Sequence, residues 1–207
     1  MAASNDFIGL PGKHLRQSAE DDFQQLLQER WAEFQRICET SGTRVQNHAT
    51  ELRFYAALRR LSEARGADAV ADAIFEIGSN LIACERMAII VRGTWAKGRV
   101  FFKSTGLTPL EIEAADRASA KLIPQILAAT VRIAAEEHPT DPLLESLGVT
   151  ALVPLWQNSQ KKGVIAFYDL LPQRNGFDSA DRALLKLLAV YAGPCFFSMW
   201  DQGEITT

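Results

Sequence analysis

The fold is decided by residues 150–195, which read TALVPLWQNSQKKGVIAFYDLLPQRNGFDSADRALLKLLAVYAGPC. Two short apolar runs, 150–156 and 163–169, flank the polar run 157–162, and this pattern predicts two strands joined by a turn. Asp178 then stands just before an apolar stripe with helical spacing. A carboxylate at that position favours a helix start, so we expect a terminal helix capped by Asp178.

The residues upstream of this hairpin predict the rest of a mixed α/β domain. An apolar stripe with helical spacing follows Asp68, which we expect to cap a helix. Two β-rich runs come next, at 87–91 and 100–103. The segment Thr108-Pro-Leu-Glu111 has the pattern of a capping box with proline at the first helical position, so a helix should start there. Together these elements predict an α+β domain over residues 66–207.

The first third of the chain has a helical pattern. Residues 15–65 contain no proline and a single glycine, Gly42, and their apolar residues fit a heptad register. We therefore expect one long, dimerising helix over 15–65 with a break at 41–43, preceded by a flexible tail at 1–14. The alternative is that this face packs on the chain's own domain. The expected dimer seam consists of Leu27, Trp31, Phe34, Val45, Leu52 and Tyr55.

Composition excludes several classes of protein. The chain has 207 residues, of which 47% are hydrophobic, and this is enough apolar material for a core. The net charge of -3 argues against a broad nucleic-acid surface. No run of eighteen apolar residues is present, so we expect no membrane span. The N-terminus lacks the pattern of a signal peptide and the three cysteines are widely spaced, which favours a cytoplasmic protein.

The order of these elements, with three local motifs, resembles a GAF domain from about Leu58 to Trp200. The motifs are the VPL run 153–155, the glycine-led run 163–167, and Phe177-Asp-Ser-Ala-Asp181 ahead of the terminal helix. The resemblance implies an α+β fold, in which a GAF-like antiparallel sheet is flanked by helices and preceded by a long N-terminal helix. The first and last helices are expected to back one face. It also implies that shorter helices and loops close over a small-molecule pocket on the other face.

The pocket candidates are side chains on the predicted strands and on the pocket segment. Arg86, Arg92 and Lys103 flank the first two strands, and Arg132 together with Lys103 would suit an anionic ligand. The alternative is that the cations are solvated and the aromatic residues fill the core. The side chains that we expect to line the pocket are Arg92, Phe101, Lys103, Arg132, Trp156 and Phe167.

The sequence contains no recognisable motif for catalysis or for metal binding. Cyclic-nucleotide-binding relatives in the GAF family carry an Asn-Lys pair and an Asp-Glu pair, but here Arg182 follows Asp181 and no Asn-Lys pair precedes it. The cysteines, Cys38, Cys84 and Cys195, lie apart and lack the Cys-His context of bilin-binding members. The three histidines are scattered as well. We therefore expect no catalytic residues, no metal and no cofactor.

These observations predict a non-enzymatic regulatory GAF-like module. It would form a homodimer through its helices, act on a protein partner that carries the output, and respond to a small molecule. One alternative is a ligand-free structural adaptor in a larger assembly. Another is a redox enzyme that uses Cys84.

Overall fold

A computed structural model describes residues 25, 28–36, 39, 48–92, 100–125, 131–134, 148–157 and 160–203. The strands within these ranges are β1 (Cys84–Arg92), β2 (Val100–Thr105), β3 (Arg132–Ile133), β4 (Ala151–Gln157) and β5 (Gln160–Leu170). They form one antiparallel sheet in the order β2-β1-β5-β4-β3. The helices are α1 (28–36), α2 (His48–Glu63), α3 (Ala67–Ile77), a π-helix (Gly78–Ile82), α4 (Pro109–Gln125) and α5 (Ser179–Gly203).

The predicted hairpin is present, with longer strands than the apolar runs indicate. Strand β4 continues to Gln157 and β5 begins at Gln160, and these two residues pair with each other. The predicted six-residue turn is therefore mostly strand. Backbone groups form the ladder whatever the side chains are, so the polar residues at the end of the hairpin can still pair.

The two faces of the sheet are covered differently. Alternation along the strands sends one set of side chains toward α2, α3 and α5, where they join the main core. The opposite face carries a smaller cluster, which packs against Ala115 of α4. The GAF-like expectation of an antiparallel sheet backed on one face by the first and last helices is confirmed by this arrangement.

Helix α5 lies very close to the sheet at one point. A Cβ atom at Gly193 would come within 2.4 Å of the backbone oxygen of Trp156. Strand β4 has a register shift between Leu155 and Trp156 at the same place. Only glycine allows this approach, and the helix continues through Pro194 beyond it.

Two of the three predicted helix starts are confirmed. The Thr108 hydroxyl donates to Glu111 Oε2 at 2.8 Å, and the Thr108 backbone N–H donates to the same atom at 2.8 Å. At α5, the Asp181 backbone N–H donates to Asp178 Oδ1 at 2.8 Å. The third prediction was wrong, because Gly66 occupies the N-cap of α3 and Asp68 lies in its first turn. There Asp68 still complements the helix dipole, and it lies 3.4 Å from Lys103 Nζ.

Helices α1 and α2 lie side by side. The ring centroids of Trp31 and Phe54 are 4.8 Å apart, as are those of Phe34 and Phe54. A straight helix rises about 1.5 Å per residue and would separate Trp31 from Phe54 by roughly 34 Å. A single straight helix therefore does not fit these contacts. The predicted break at 41–43 and the predicted tail at 1–14 lie outside the described residues.

Candidate ligand face and the contacts that frame it

The sheet face opposite the helix layer is the candidate ligand face. Its strand residues are small or medium-sized apolar side chains together with Tyr168, and all of them are buried. Phe102, Leu107 and Ala134 are partly buried against the same cluster. Such a surface suits the apolar body of a small molecule, or a packed core. The strand members of this face are Ala88, Ile90, Leu152, Val164, Ala166 and Tyr168.

Of the predicted pocket candidates, Arg132 shares this face. Arg132 is opposite Leu152 in the register of β3 and β4, and Leu152 belongs to the candidate ligand face. The next residue, Ile133, is opposite Ala151 and joins the main core. Arg132 is half-buried, so a cation stands at the edge of an otherwise apolar surface.

An ionic cluster fastens the first turn of α4 to the sheet; we call it the α4 clasp and define it as Arg86, Glu111 and Asp169. The Arg86 guanidinium pairs with Glu111 on α4 through one nitrogen and with Asp169 on β5 through another. The Thr108 backbone and hydroxyl hydrogen bonds, with the Arg86 contact, lower the pKa of Glu111 to about 2. The hydrogen bond to Glu111 also raises the pKa of Arg86, so Glu111 and Arg86 are both ionised at neutral pH.

Tyr168 lies beside the α4 clasp and on the candidate ligand face. Burial raises the pKa of its phenol, and the negative charge of Glu111 raises it further. The neutral phenol can donate or accept a hydrogen bond. The face therefore combines an apolar surface with a polar group at the end where α4 is held.

Three other pocket candidates lie on the opposite, helix-covered face. Phe167 is fully buried in the main core, and Phe101 packs edge-on against Phe196 of α5 with centroids 4.9 Å apart. Lys103 Nζ lies 2.8 Å from Asp72 Oδ1 on α3. In this structure the two aromatic residues therefore pack in the core and the cation is paired. The reason is strand alternation: Phe102, and not Phe101, faces the other side.

The two remaining pocket candidates stand at strand ends. Trp156 is half-buried and lies at the register shift of β4, opposite Lys161. Arg92 ends β1 opposite Val100, and its side chain lies outside the described part of the chain.

The predicted seam residues divide into buried and exposed ones. Trp31 is 8% exposed and Phe34 is fully buried, and both pack in the chain's own aromatic cluster with Phe54. Tyr55 is half-buried and donates a hydrogen bond of 3.1 Å to Glu51. Leu52 is 55% exposed on α2. Leu27 and Val45 lie outside the described residues.

A second ionic cluster was not foreseen from the sequence; we call it the α2 latch and define it as Arg53, Arg174 and Asp181. Asp181 is fully buried, its Oδ2 accepts from the Asp178 backbone N–H at 2.9 Å, and Arg174 contacts the same oxygen. Arg53 Nη1 on α2 lies 3.6 Å from Asp181 Oδ1. Burial raises the pKa of Asp181. The D-x-x-D pattern signalled the helix start, but nothing local signalled its arginine partners.

The cysteines that the structure describes are poor nucleophiles. The Cys84 thiol is buried and donates to the backbone oxygen of Asp169 at 2.9 Å, and burial raises its pKa to about 11. Burial also raises the pKa of the half-buried Cys195. Within the described ranges, no three His, Cys, Asp or Glu side chains form a group that could hold a metal ion.

No helix within the described ranges is long and apolar enough to cross a bilayer. No protein-family model and no curated protein matches the chain.

The solved structures that are similar to this one include the following three. SdiA from Escherichia coli has 15% identity and a TM-score of 0.50, over 74% of this chain and 69% of that chain. The N-acylhomoserine lactone dependent LuxR family transcription factor CepR2 from Burkholderia cenocepacia has 13% identity and a TM-score of 0.50, over 73% and 98%. The GAF domain from Acinetobacter phosphoenolpyruvate-protein phosphotransferase is a weaker likeness, with 11% identity and a TM-score of 0.49, over 77% and 99%. At such identities the first two similarities show the fold alone.

Proposed function

We propose that this chain is a non-enzymatic regulatory module of the sensor type. A small molecule binds between α4 and the candidate ligand face, and the response leaves through the N-terminal helices to a protein partner in the cytoplasm. The observation that carries the proposal is the difference between the two faces of the sheet. One face is closed by three helices and large side chains, whereas the other is apolar and framed by α4 and the α4 clasp.

The helix-covered face has little capacity for a ligand. Phe34, Phe54, Phe167 and Phe196 are among its largest fully buried side chains, so it is a packed core. The candidate ligand face carries smaller residues, including Ala88 and Ala166 on adjacent strands. A small apolar molecule is more easily accommodated against such residues than among packed aromatic rings.

The attachment of α4 suits a helix that moves. The α4 clasp is partly exposed to solvent on all three of its side chains. Solvent-exposed ion pairs contribute on the order of 0–1 kcal/mol, so they position a helix without fixing it firmly. A ligand that prefers one position of α4 would shift the population toward it.

The similar structures support this reading at the level of the fold. SdiA has been solved in complex with octanoyl-rac-glycerol, and CepR2 is described as dependent on N-acylhomoserine lactone. Both compounds have an apolar chain and a polar head, which is the kind of molecule that an apolar face with Tyr168 and Arg132 at its margins would suit.

Dimerisation is part of the proposal. Trp31 and Phe34 are occupied within their own chain, so the dimer contact we propose uses the outer face of α2, where Leu52 is exposed. A symmetric pairing of such a surface gives a homodimer, and a shift of α2 would then change how the two copies meet.

The proposal is tested by thermal unfolding with a small-molecule extract of the cells that make the protein. A ligand at ~100 times its dissociation constant adds about 2.7 kcal/mol, so the melting temperature should rise. Ala166→Leu fills the candidate ligand face and should abolish the rise, with Ala88→Val as a milder variant. Leu52→Asp is the control and should keep it. No rise with wild type would favour the ligand-free structural adaptor, and a rise that Ala166→Leu retains would place the ligand elsewhere.

A further inference from the structure

We infer that the segment from Asp169 to Asp181 couples α4 on one face of the sheet to α2 on the other. The coupling rests on the proposed function, because it supplies the route by which a displaced α4 would reach the N-terminal helices. The segment belongs to both ionic clusters: Asp169 is a member of the α4 clasp, and Arg174 and Asp181 are members of the α2 latch.

The first anchor is the α4 clasp. Arg86 stands on β1 between the carboxylates of Glu111 and Asp169, and its strand has register shifts on both sides of it. One guanidinium therefore joins the first turn of α4 to the end of β5. Moving Glu111 away from Arg86 would change the balance of charge at Asp169 as well, since both carboxylates share one cation.

The segment between the anchors is short, and backbone hydrogen bonds join it to the residue before β1 and to itself. The Leu171 N–H donates to the Ala83 oxygen at 2.9 Å, and the Arg174 N–H donates to the Leu171 oxygen at 2.8 Å. Phe177 is buried in the main core. These contacts restrict the conformations that the segment can adopt. A displacement of Asp169 is therefore transmitted to Arg174 more readily than it would be through an unrestrained loop.

The second anchor is the α2 latch, and its geometry makes α2 sensitive to the position of Asp181. Arg53 Nη1 and Asp181 Oδ1 are both buried, lie 3.6 Å apart, and have no hydrogen-bond partner among the residues that the structure describes. An approach of less than about 1 Å would form a hydrogen bond between them. Buried charged atoms without a hydrogen bond are unfavourable, so a small movement of Asp181 changes the interaction that holds α2.

The α2 latch also lies next to the contacts of α1. Phe54 follows Arg53 on α2 and packs against Trp31 and Phe34. Tyr191 of α5 packs edge-on against Phe54 and lies 3.5 Å from the Arg30 oxygen of α1. A change in the position of α2 therefore alters the packing contacts of α1.

Hydrogen exchange of the ligand-free full chain tests the coupling. We expect Glu111→Gln to speed exchange of the α2 amides by at least about fivefold while the amides of β4, which holds no member of either cluster, are unchanged. Arg53→Gln should do the same, and the double variant should show no further increase, because both changes act through one segment. If Glu111→Gln leaves α2 exchange unchanged, or if the two effects multiply, the inference is wrong.

A matched control uses another ion pair of α2. Arg60 pairs with Glu76 of α3 and touches neither cluster, so Glu111→Gln should keep its full effect on α2 in the Arg60→Gln background. Should Arg53→Gln also speed exchange in β4, Arg53→Lys gives the same comparison in a milder background. An equal rise in α2 and β4 in that background would mean general destabilisation and would overturn the inference. No ligand enters this experiment, so its failure and the failure of the proposed function are separate results.

Discussion

Glu111 combines a local role with a distant one. It closes the capping box of α4 with Thr108 and receives the Arg86 guanidinium from β1. The first role is visible in four consecutive residues, whereas the second joins residues that are far apart in the sequence. A carboxylate with this many donors is stabilised in its ionised form.

We expect the effect of Glu111→Gln on stability to depend on pH. The fold lowers the pKa of Glu111 from 4.5 to about 2, so ionised Glu111 contributes stability above pH 4.5, and this contribution is lost as the pH falls from 4.5 toward 2. Urea unfolding at several pH values should show the largest difference between wild type and variant above pH 4.5 and a vanishing one near pH 2. Thr108→Val, which removes one donor, should give part of the same loss. A difference that does not change with pH would contradict the assignment.

Cys84 is expected to be inert in the native protein. With a pKa of about 11, on the order of one thiol in a thousand is ionised at pH 8, and the side chain is buried. Treatment with iodoacetamide followed by peptide mass spectrometry should find Cys84 unmodified in native protein and modified after unfolding. Alkylation of native Cys84 at the rate of a free thiol would contradict this expectation and favour the alternative in which the protein is a redox enzyme that uses Cys84.

Among the elements, α1 contributes to the fold of its own chain. Phe34 is fully buried between Trp31 and Phe54, so Phe34→Ala should lower the free energy of unfolding by about 3–5 kcal/mol. Leu110→Ala, at a side chain of α4 that is 78% exposed, should change it by less than about 0.5 kcal/mol. Chemical denaturation measures both. A loss below about 1 kcal/mol for Phe34→Ala would mean that α1 is not part of this core.

The outer face of α2 carries the dimer prediction. Leu52→Asp places a charge on the exposed part of the seam and should convert dimers to folded monomers. Light scattering after size-exclusion chromatography gives the mass. Phe34→Asp is unsuitable for this purpose, since it would bury a charge in the core. An unchanged dimer mass for Leu52→Asp would refute a contact through this residue.

The sequence predicted elements better than it predicted contacts between them. The hairpin of β4 and β5 and the capping boxes at Thr108 and Asp178 depend on neighbouring residues, and all are present. The heptad pattern of 15–65 fits a dimer seam and an intramolecular face equally well. In the structure, Trp31 and Phe34 pack against Phe54 of α2 in the same chain. The heptad pattern alone does not reveal this contact, because it shows which residues share a helix face and not what that face packs against.

Across the whole molecule, the candidate site depended on which face of the sheet each side chain takes. The run Phe101-Phe102-Lys103 offers either alternation, and pairing with β1 decides that Phe101 and Lys103 face the helices. The α2 latch joins two separate parts of the chain, α2 and the segment that holds Arg174 and Asp181. No local pattern contains that information, whereas the antiparallel sheet and its helix layer followed from the order of the elements.

Native mass spectrometry of the protein purified gently from the cells that make it detects a bound small molecule and a dimer in one measurement. We expect a dimer that carries the extra mass of a small molecule, and this mass should disappear on denaturation. The Ala166→Leu variant should lack the extra mass while remaining a dimer. Species with the bare polypeptide mass alone, in the wild type as in the variant, would contradict the sensor and leave the structural adaptor.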